Sequence, residues 1–159
     1  MEGNPHPATT PQEAQRAMDH FVAASHIAQQ EIARRLGLNS TDLTCFGYVL
    51  EAGAEPLTAG DLAERAHVTT GAVTGILNRL ERAGFVARQP DPEDRRRVRI
   101  VAEPAALTRV YAVYEPFYGR LAALYADYSA TELATLVDFF RRADTLVSDY
   151  LEETRSRTV

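Results

Sequence analysis

Between Leu57 and Val101 the chain reads LTAGDLAERAHVTTGAVTGILNRLERAGFVARQPDPEDRRRVRIV, and this stretch limits the available folds more than any other. Thr58 opens a short helix, and Asp61, three residues on, can return its cap. Leu62, Ala63 and Ala66 make the inner face of that helix. His67 and Val68 form a turn, and Thr69 caps a second helix. Val68 before that cap and Val73 four residues after it suit a hydrophobic staple. Val73, Ile76, Leu77 and Leu80 recur at helical spacing, and Gly84 stops the helix. Phe85 to Arg88 is short and β-prone. Gln89 to Arg96, with two prolines and three acids, reads as a loop, and Arg97 to Val101 alternates charged and apolar residues. The pattern predicts two tandem helices followed by a β-hairpin.

The flanks are helical. From Pro11 to Leu36 the residues Met18, Phe21, Val22, Ile32 and Leu36 fall near one stripe, and Gly37 follows as a stop. Asn39, Ser40 and Thr41 offer cap oxygens for a helix with Leu43, Phe46, Val49 and Leu50 on its apolar face, ending near Gly53. Pro104 suits the first turn of a helix reaching about Asp127, with Leu107, Val110, Tyr114, Phe117, Leu121 and Leu124 on its apolar side. Ser129 to Glu132 is a capping box for a last helix lined by Leu133, Leu136, Val137, Phe140, Val147, Tyr150 and Leu151. The fold expected is mainly α, four helices, two strands and two helices. Residues 1–10 are polar and proline-rich, without the basic start and apolar core of a secretory signal, and read as a flexible leader. No apolar run approaches the ~18 residues of a membrane span. A cytoplasmic location and no membrane partner follow as expectations.

Charge is distributed unevenly. The net charge is −5, yet residues 56–103 carry 8 Arg against 7 acids, while the flanks carry 3 against 7 and 6 against 8. All 17 basic residues are Arg, whose planar fork suits bidentate contacts to phosphates and bases. Winding residues 70–83 at about 100° per residue gathers Val73, Ile76, Leu77 and Leu80 on one side. The other side presents Gly71, Gly75, Asn78 and Arg82, flanked by Thr74 and Arg79, and carries no carboxylate. Small groups and short hydrogen-bonding side chains are what a helix needs to approach base edges in the major groove of double-stranded DNA. Two glycines inside a helix cost roughly 1 kcal/mol each against Ala, which favours a close-approach role. The free N–H groups at the Thr69 end favour a phosphate. In the following hairpin Arg95 and Arg96 project from the tip, as the negative minor groove favours, with Asp94 able to hold a neighbouring guanidinium.

Other chemistries find little support. The four histidines are His6, His20, His26 and His67; His20 and His26 are six apart and share no helical face. There is neither a Gly-rich phosphate loop nor an HExxH motif, so no enzyme is expected. A single cysteine, Cys45, excludes an internal disulfide and a Cys-based zinc site, and is expected to be a buried thiol. No metal site and no cofactor are predicted. A metal-responsive regulator using His20, His26 and acids is one alternative, and a protein-interaction dimer that does not bind DNA is another.

These residues resemble the MarR family of bacterial transcription regulators, over nearly the whole chain. Leu57 to Ala66 resembles the first helix of the family's reading motif, Val73 to Gly84 its recognition helix, and Asp91 to Arg96 its wing, with Asp94 and Arg96 on the Asp-x-Arg pattern. The resemblance implies a winged helix-turn-helix over 38–103, with 11–37 and 104–153 forming a dimerisation lobe. It gives Arg96 a minor-groove role and Asp94 a supporting one. Taken with the face described above, Thr69, Thr70, Gly71, Thr74, Asn78, Arg79, Asp94, Arg95 and Arg96 are the expected DNA-binding residues. Many members carry a basic residue where Gly75 stands here, and Cys45 does not match the reactive Cys of the peroxide-sensing branch. The resemblance further implies a homodimer, a palindromic operator with half-sites about 10 bp apart, repression, and release by a small aromatic or phenolic effector. Candidate ligand residues are His20, Tyr48, Tyr111 and Tyr114, with Tyr118 and His26 near them in sequence.

Overall fold

The computed structural model describes residues 9–156. Six helices and a two-stranded sheet follow in the order α1 Pro11–Arg35, α2 Ser40–Ala52, α3 Ala59–Arg65, α4 Thr70–Arg82, β1 Val86–Pro90, β2 Val98–Ala102, α5 Pro104–Tyr125 and α6 Ala130–Ser156. This is the mainly α winged-helix arrangement expected. Most of the leader expected over residues 1–10 lies outside the described residues. Thr10 caps α1, its hydroxyl accepting from the Glu13 N–H while Glu13 accepts from the Thr10 N–H.

The chain divides into two compact units, Thr9–Glu115 and the stretch from Pro116 onward. The first holds the core. Leu43, Cys45, Phe46 and Val49 from α2, Leu62 from α3, Val73, Ile76, Leu77 and Leu80 from α4, and Phe85, Val86, Ile100, Ala106 and Val110 are all buried in one cluster. Phe46 and Phe85 meet edge to face with centroids 5.2 Å apart. Of α1, only Ala33 is buried. Met18, Phe21 and Val22 of its expected stripe are exposed in the protomer.

Each short helix is bounded by the residues the sequence offers. Asn39, Thr58 and Thr69 cap α2, α3 and α4, each accepting from the N–H three residues on. The Thr58 N–H and hydroxyl in turn hold the Asp61 carboxyl below its usual pKa range. Helices α3 and α4 end in the same six-residue closure. After α3, Val68 N–H reaches Ala63 O and His67 N–H reaches Glu64 O; after α4, Phe85 N–H reaches Leu80 O and Gly84 N–H reaches Glu81 O. The closure demands a left-handed residue, which Gly84 supplies at φ 68° and His67 supplies at φ 54° despite its side chain.

The strands pair antiparallel, Val86 opposite Ala102 through Pro90 opposite Val98. They start one residue later than the sequence suggested, and β1 runs on through Gln89 to Pro90. Pro90, with no N–H to donate, can sit at a strand end. A third short pairing joins Leu57 to Ile100, whose N–H donates to Leu57 O at 2.7 Å.

The second unit consists of the end of α5 and α6. Ser129 and Glu132 cap α6 reciprocally, as the sequence predicts. No described residue from Pro116 to Ser156 is buried, and Phe117, Leu124, Phe139, Phe140, Leu146 and Tyr150 are exposed. None of the described helices is long and apolar enough to cross a membrane.

Candidate nucleic-acid interface

Helix α4 turns Val73, Ile76, Leu77 and Leu80 into the core and leaves Thr69, Thr70, Gly71, Thr74 and Asn78 exposed. Neither glycine of this helix is required by the fold. A Cβ at Gly71 would meet nothing within 4 Å, and one at Gly75 would make an ordinary 3.5 Å contact with Arg79 Nη1. Both lie in helical backbone, where Gly is unfavourable by roughly 1 kcal/mol against Ala. The Thr69 hydroxyl accepts from the Ala72 N–H at 3.2 Å, and the Thr74 hydroxyl donates to Thr70 O at 3.1 Å.

The C-terminal end of α4 is braced from α5. Arg109 Nη2 donates to the carbonyls of Ala83 and Gly84, each at 3.0 Å, and its guanidinium lies 4.3 Å from the centre of the Phe85 ring. A cation at this end also meets the negative pole of the helix dipole. The brace is absent from any pattern of spacing, because 25 residues separate the partners.

The sequence sets Arg79 among the DNA-facing side chains; the structure turns its guanidinium onto Asp42 instead. Arg79 Nε donates to Asp42 Oδ2 at 2.8 Å and Nη2 to Oδ1 at 2.6 Å. Asp42 is only 2% exposed and also accepts from Asn39 Nδ2 at 3.0 Å. A buried carboxylate must be paired, so the bidentate fork of Arg79 clasps α2 to α4.

The wing is built around a second buried carboxylate that sequence reasoning passed over. Asp91 is 4% exposed. It accepts from the Glu93 and Asp94 N–H groups at the loop start, and from Arg99 Nε and Nη2 at 2.8 and 3.0 Å. The Arg99 bonds, with those backbone donors, hold its carboxyl below the usual pKa range. The Asp-Pro-Glu-Asp order carries the signal, since Asp commonly bonds the backbone two residues on. Asp94 Oδ1 accepts from the Arg96 N–H at 3.0 Å and lies 3.4 Å from its Nε. Arg95 is exposed, and the Arg96 side chain is 92% exposed.

Arg88 on β1 was also not singled out by the sequence. Its Nη2 donates to Asn78 Oδ1 at 3.0 Å and its Nη1 pairs with Glu81, one turn further along α4. Strand alternation gave the clue: Arg88 shares a side of β1 with buried Val86.

The candidate ligand residues have no common setting. Tyr48 and Tyr114 lie half-buried against the core, Tyr111 is 72% exposed, and His20 is open on α1. A cleft of about 350 Å³ beside Asp42 and Arg79 is lined by none of them. Cys45 is wholly buried, and burial first, then the Asp42 carboxylate, pushes its thiol pKa up.

Comparison with known proteins fixes the family. The MarR family profile matches residues 53–98, from just after α2 to the first residue of β2. The uncharacterized HTH-type transcriptional regulator YcgE of Bacillus subtilis is 38% identical over 123 residues, covering 77% of this chain and 79% of that protein. The chain belongs to the MarR family. A second relative, the HTH-type transcriptional repressor YetL of the same organism, is 28% identical and covers 74% of this chain and 72% of its own length. The solved structure of a MarR family protein from Bacillus stearothermophilus shares the fold, with a TM-score of 0.67 at 22% identity, over 89% of this chain and 99% of that one. This MarR family protein is thus a DNA-binding, helix-turn-helix transcriptional regulator and not an enzyme.

Proposed function

We propose that this regulator acts in the cytoplasm as a homodimeric repressor that reads a palindromic operator and is released by a small aromatic or phenolic effector. Thr69, Thr70, Gly71, Thr74 and Asn78 face the major groove, and Arg95 and Arg96 enter the minor groove, with Asp94 steadying Arg96. Arg79, half exposed and clasped to Asp42, borders this contact. One observation carries the DNA-reading assignment: two glycines, Gly71 and Gly75, fall in helical backbone on the outward side of α4 with room for a side chain, and a close approach from outside accounts for their cost there.

The division of labour assigns 38–103 to DNA and the helices of 11–37 and 104–153 to dimerisation. The exposed apolar residues of α1 and α6 support it, since faces of this kind mark association surfaces. Two-fold pairing of two readers matches a two-fold operator. Repression agrees with the name of the relative YetL.

Selection of bound sequences from random DNA tests the reading. An inverted repeat with half-site centres about 10 bp apart is expected. Salt-dependent binding with no enriched sequence would refute a specific regulator. Sedimentation at micromolar concentration should give twice the protomer mass.

A further inference from the structure

We infer that Arg88 is a positioning residue that fixes the amide of Asn78 so that its NH₂ group, with its hydrogen-bond donors, is what it turns toward DNA. The inference rests on the proposal that α4 reads the major groove. It goes beyond that proposal by assigning what Asn78 selects: the acceptor guanine O6 or thymine O4, where adenine presents its N6 donor instead.

The geometry is local and closed. Asn78 and Glu81 stand three residues apart on the same side of α4. The Arg88 guanidinium spans the two, giving one N–H to Asn78 Oδ1 at 3.0 Å and pairing with the Glu81 carboxylate. Turning the Asn78 amide over would set its NH₂ against the guanidinium N–H, donor against donor, and lose the bond. Glu81 holds Arg88 in place, so the orientation is imposed rather than shared between two states. A free Asn recognises adenine by accepting from N6 while donating to N7. Here one lone pair of the oxygen is already taken, and an N6 amino group arriving at the other would meet the guanidinium's positive charge beside it. The two Nδ2 hydrogens remain available, and they suit acceptors.

The test compares selected DNA sequences for the full-length wild type, Asn78→Ala, Glu81→Ala, and the double variant Glu81→Ala with Arg88→Ala. Using Glu81→Ala as background keeps an unpaired carboxylate from repelling DNA when Arg88 is removed. Asn78→Ala should lose preference at one base pair in each half-site, which locates the contact. At that base pair the wild type should favour guanine or thymine over adenine roughly tenfold, the scale of one good base contact, and Glu81→Ala, whose Arg88 keeps its bond to Asn78 but loses its anchor, should keep the same preference in weaker form. The double variant should admit adenine there, with its melting temperature and salt dependence equal to those of Glu81→Ala. An unchanged preference in the double variant overturns the inference. So does a uniform loss of affinity with a salt slope smaller by about one, which would make Arg88 a phosphate contact. A wild type that enriches no sequence at all would overturn the reading role of α4 itself, and this inference with it.

Discussion

The two units of the protomer spend their apolar residues in opposite ways. Every buried residue lies before Glu115, while from Pro116 to Ser156 none of the described residues is buried. The reading helices are short, 7 residues in α3 and 13 in α4, and helices of that length are marginal in water. They exist because Leu62, Val73, Ile76, Leu77 and Leu80 close a core with Phe46 and Phe85. Helix α6 has 27 residues, yet Phe139, Phe140, Leu146, Val147 and Tyr150 stay open. The core of the first unit closes within one chain, although α1 of that unit leaves Met18, Phe21 and Val22 exposed. The second carries the same residue types with nothing in the protomer to cover them, as the proposed dimer requires.

The largest effect should come from placing one substitution in each unit. Phe85→Ala removes a wholly buried ring that meets Phe46. It should cost about 3–5 kcal/mol in urea unfolding, whatever the protein concentration. Phe140→Ala removes a half-exposed ring. Its effect should depend on concentration, appearing as more monomer in sedimentation and as a small loss of stability at high dilution. Equal, concentration-independent losses would break the contrast between the units.

Next in size is the clasp between α2 and α4. Arg79→Ala leaves the Asp42 carboxylate, 2% exposed, with the Asn39 side-chain NH₂ as its remaining side-chain partner. A loss of roughly 1–3 kcal/mol is expected. Asp42→Ala together with Arg79→Ala should cost less than the two single losses added, because no buried charge is left unpaired. An additive cycle would mean the pair does not act as a clasp. DNA affinity measured well below the melting temperature should change little, in contrast to the loss expected for Arg96→Ala.

The sequence carried the elements of the first unit almost to the residue, because local signals govern them: Asn39, Thr58 and Thr69 as caps, Gly84 as a stop, and the period of Val73 to Leu80. It carried less of the interface. The pairs Asp42–Arg79, Arg88–Asn78 and Arg109–Ala83 span 37, 10 and 26 residues, and no helical or strand period connects them. Arg79 stands beside the reading face on a helical wheel, but the wheel cannot know that a buried carboxylate waits on another helix. The stripe on α1 shows a different limit. Its spacing is that of a core-facing helix, yet Phe21 and Val22 are exposed in the protomer. Periodicity reports that a face is apolar, not which molecule covers it.

A smaller effect is expected from the wing carboxylate, and it depends on pH. Arg99 and the backbone donors lower the Asp91 pKa in the folded state. A group with a depressed folded pKa stabilises the fold above its unfolded value, near about 4, and loses that contribution as pH falls through the folded value. Asp91→Asn should therefore melt lower than the wild type at pH 7, and the gap should close as the pH drops below about 4. A gap that stays constant down to pH 2 would show that the carboxylate's charge is not what holds the wing.

The smallest effect tests how far the first unit is optimised. His67 takes a left-handed backbone at φ 54° in the turn between the reading helices, the place Gly84 takes after α4. A side chain in that conformation costs about 1–2 kcal/mol, while Gly loses about 0.5–1 kcal/mol more than other residues to chain entropy on folding. His67→Gly should thus gain under about 1 kcal/mol, a rise of about 2–4 °C at most in melting temperature. The gain should leave the monomer–dimer equilibrium untouched, because the strain is internal to the unit that folds within one chain. A fall in melting temperature would show that the imidazole contributes a contact worth more than the strain it imposes. An accompanying shift in dimerisation would show that the two units are not energetically separate.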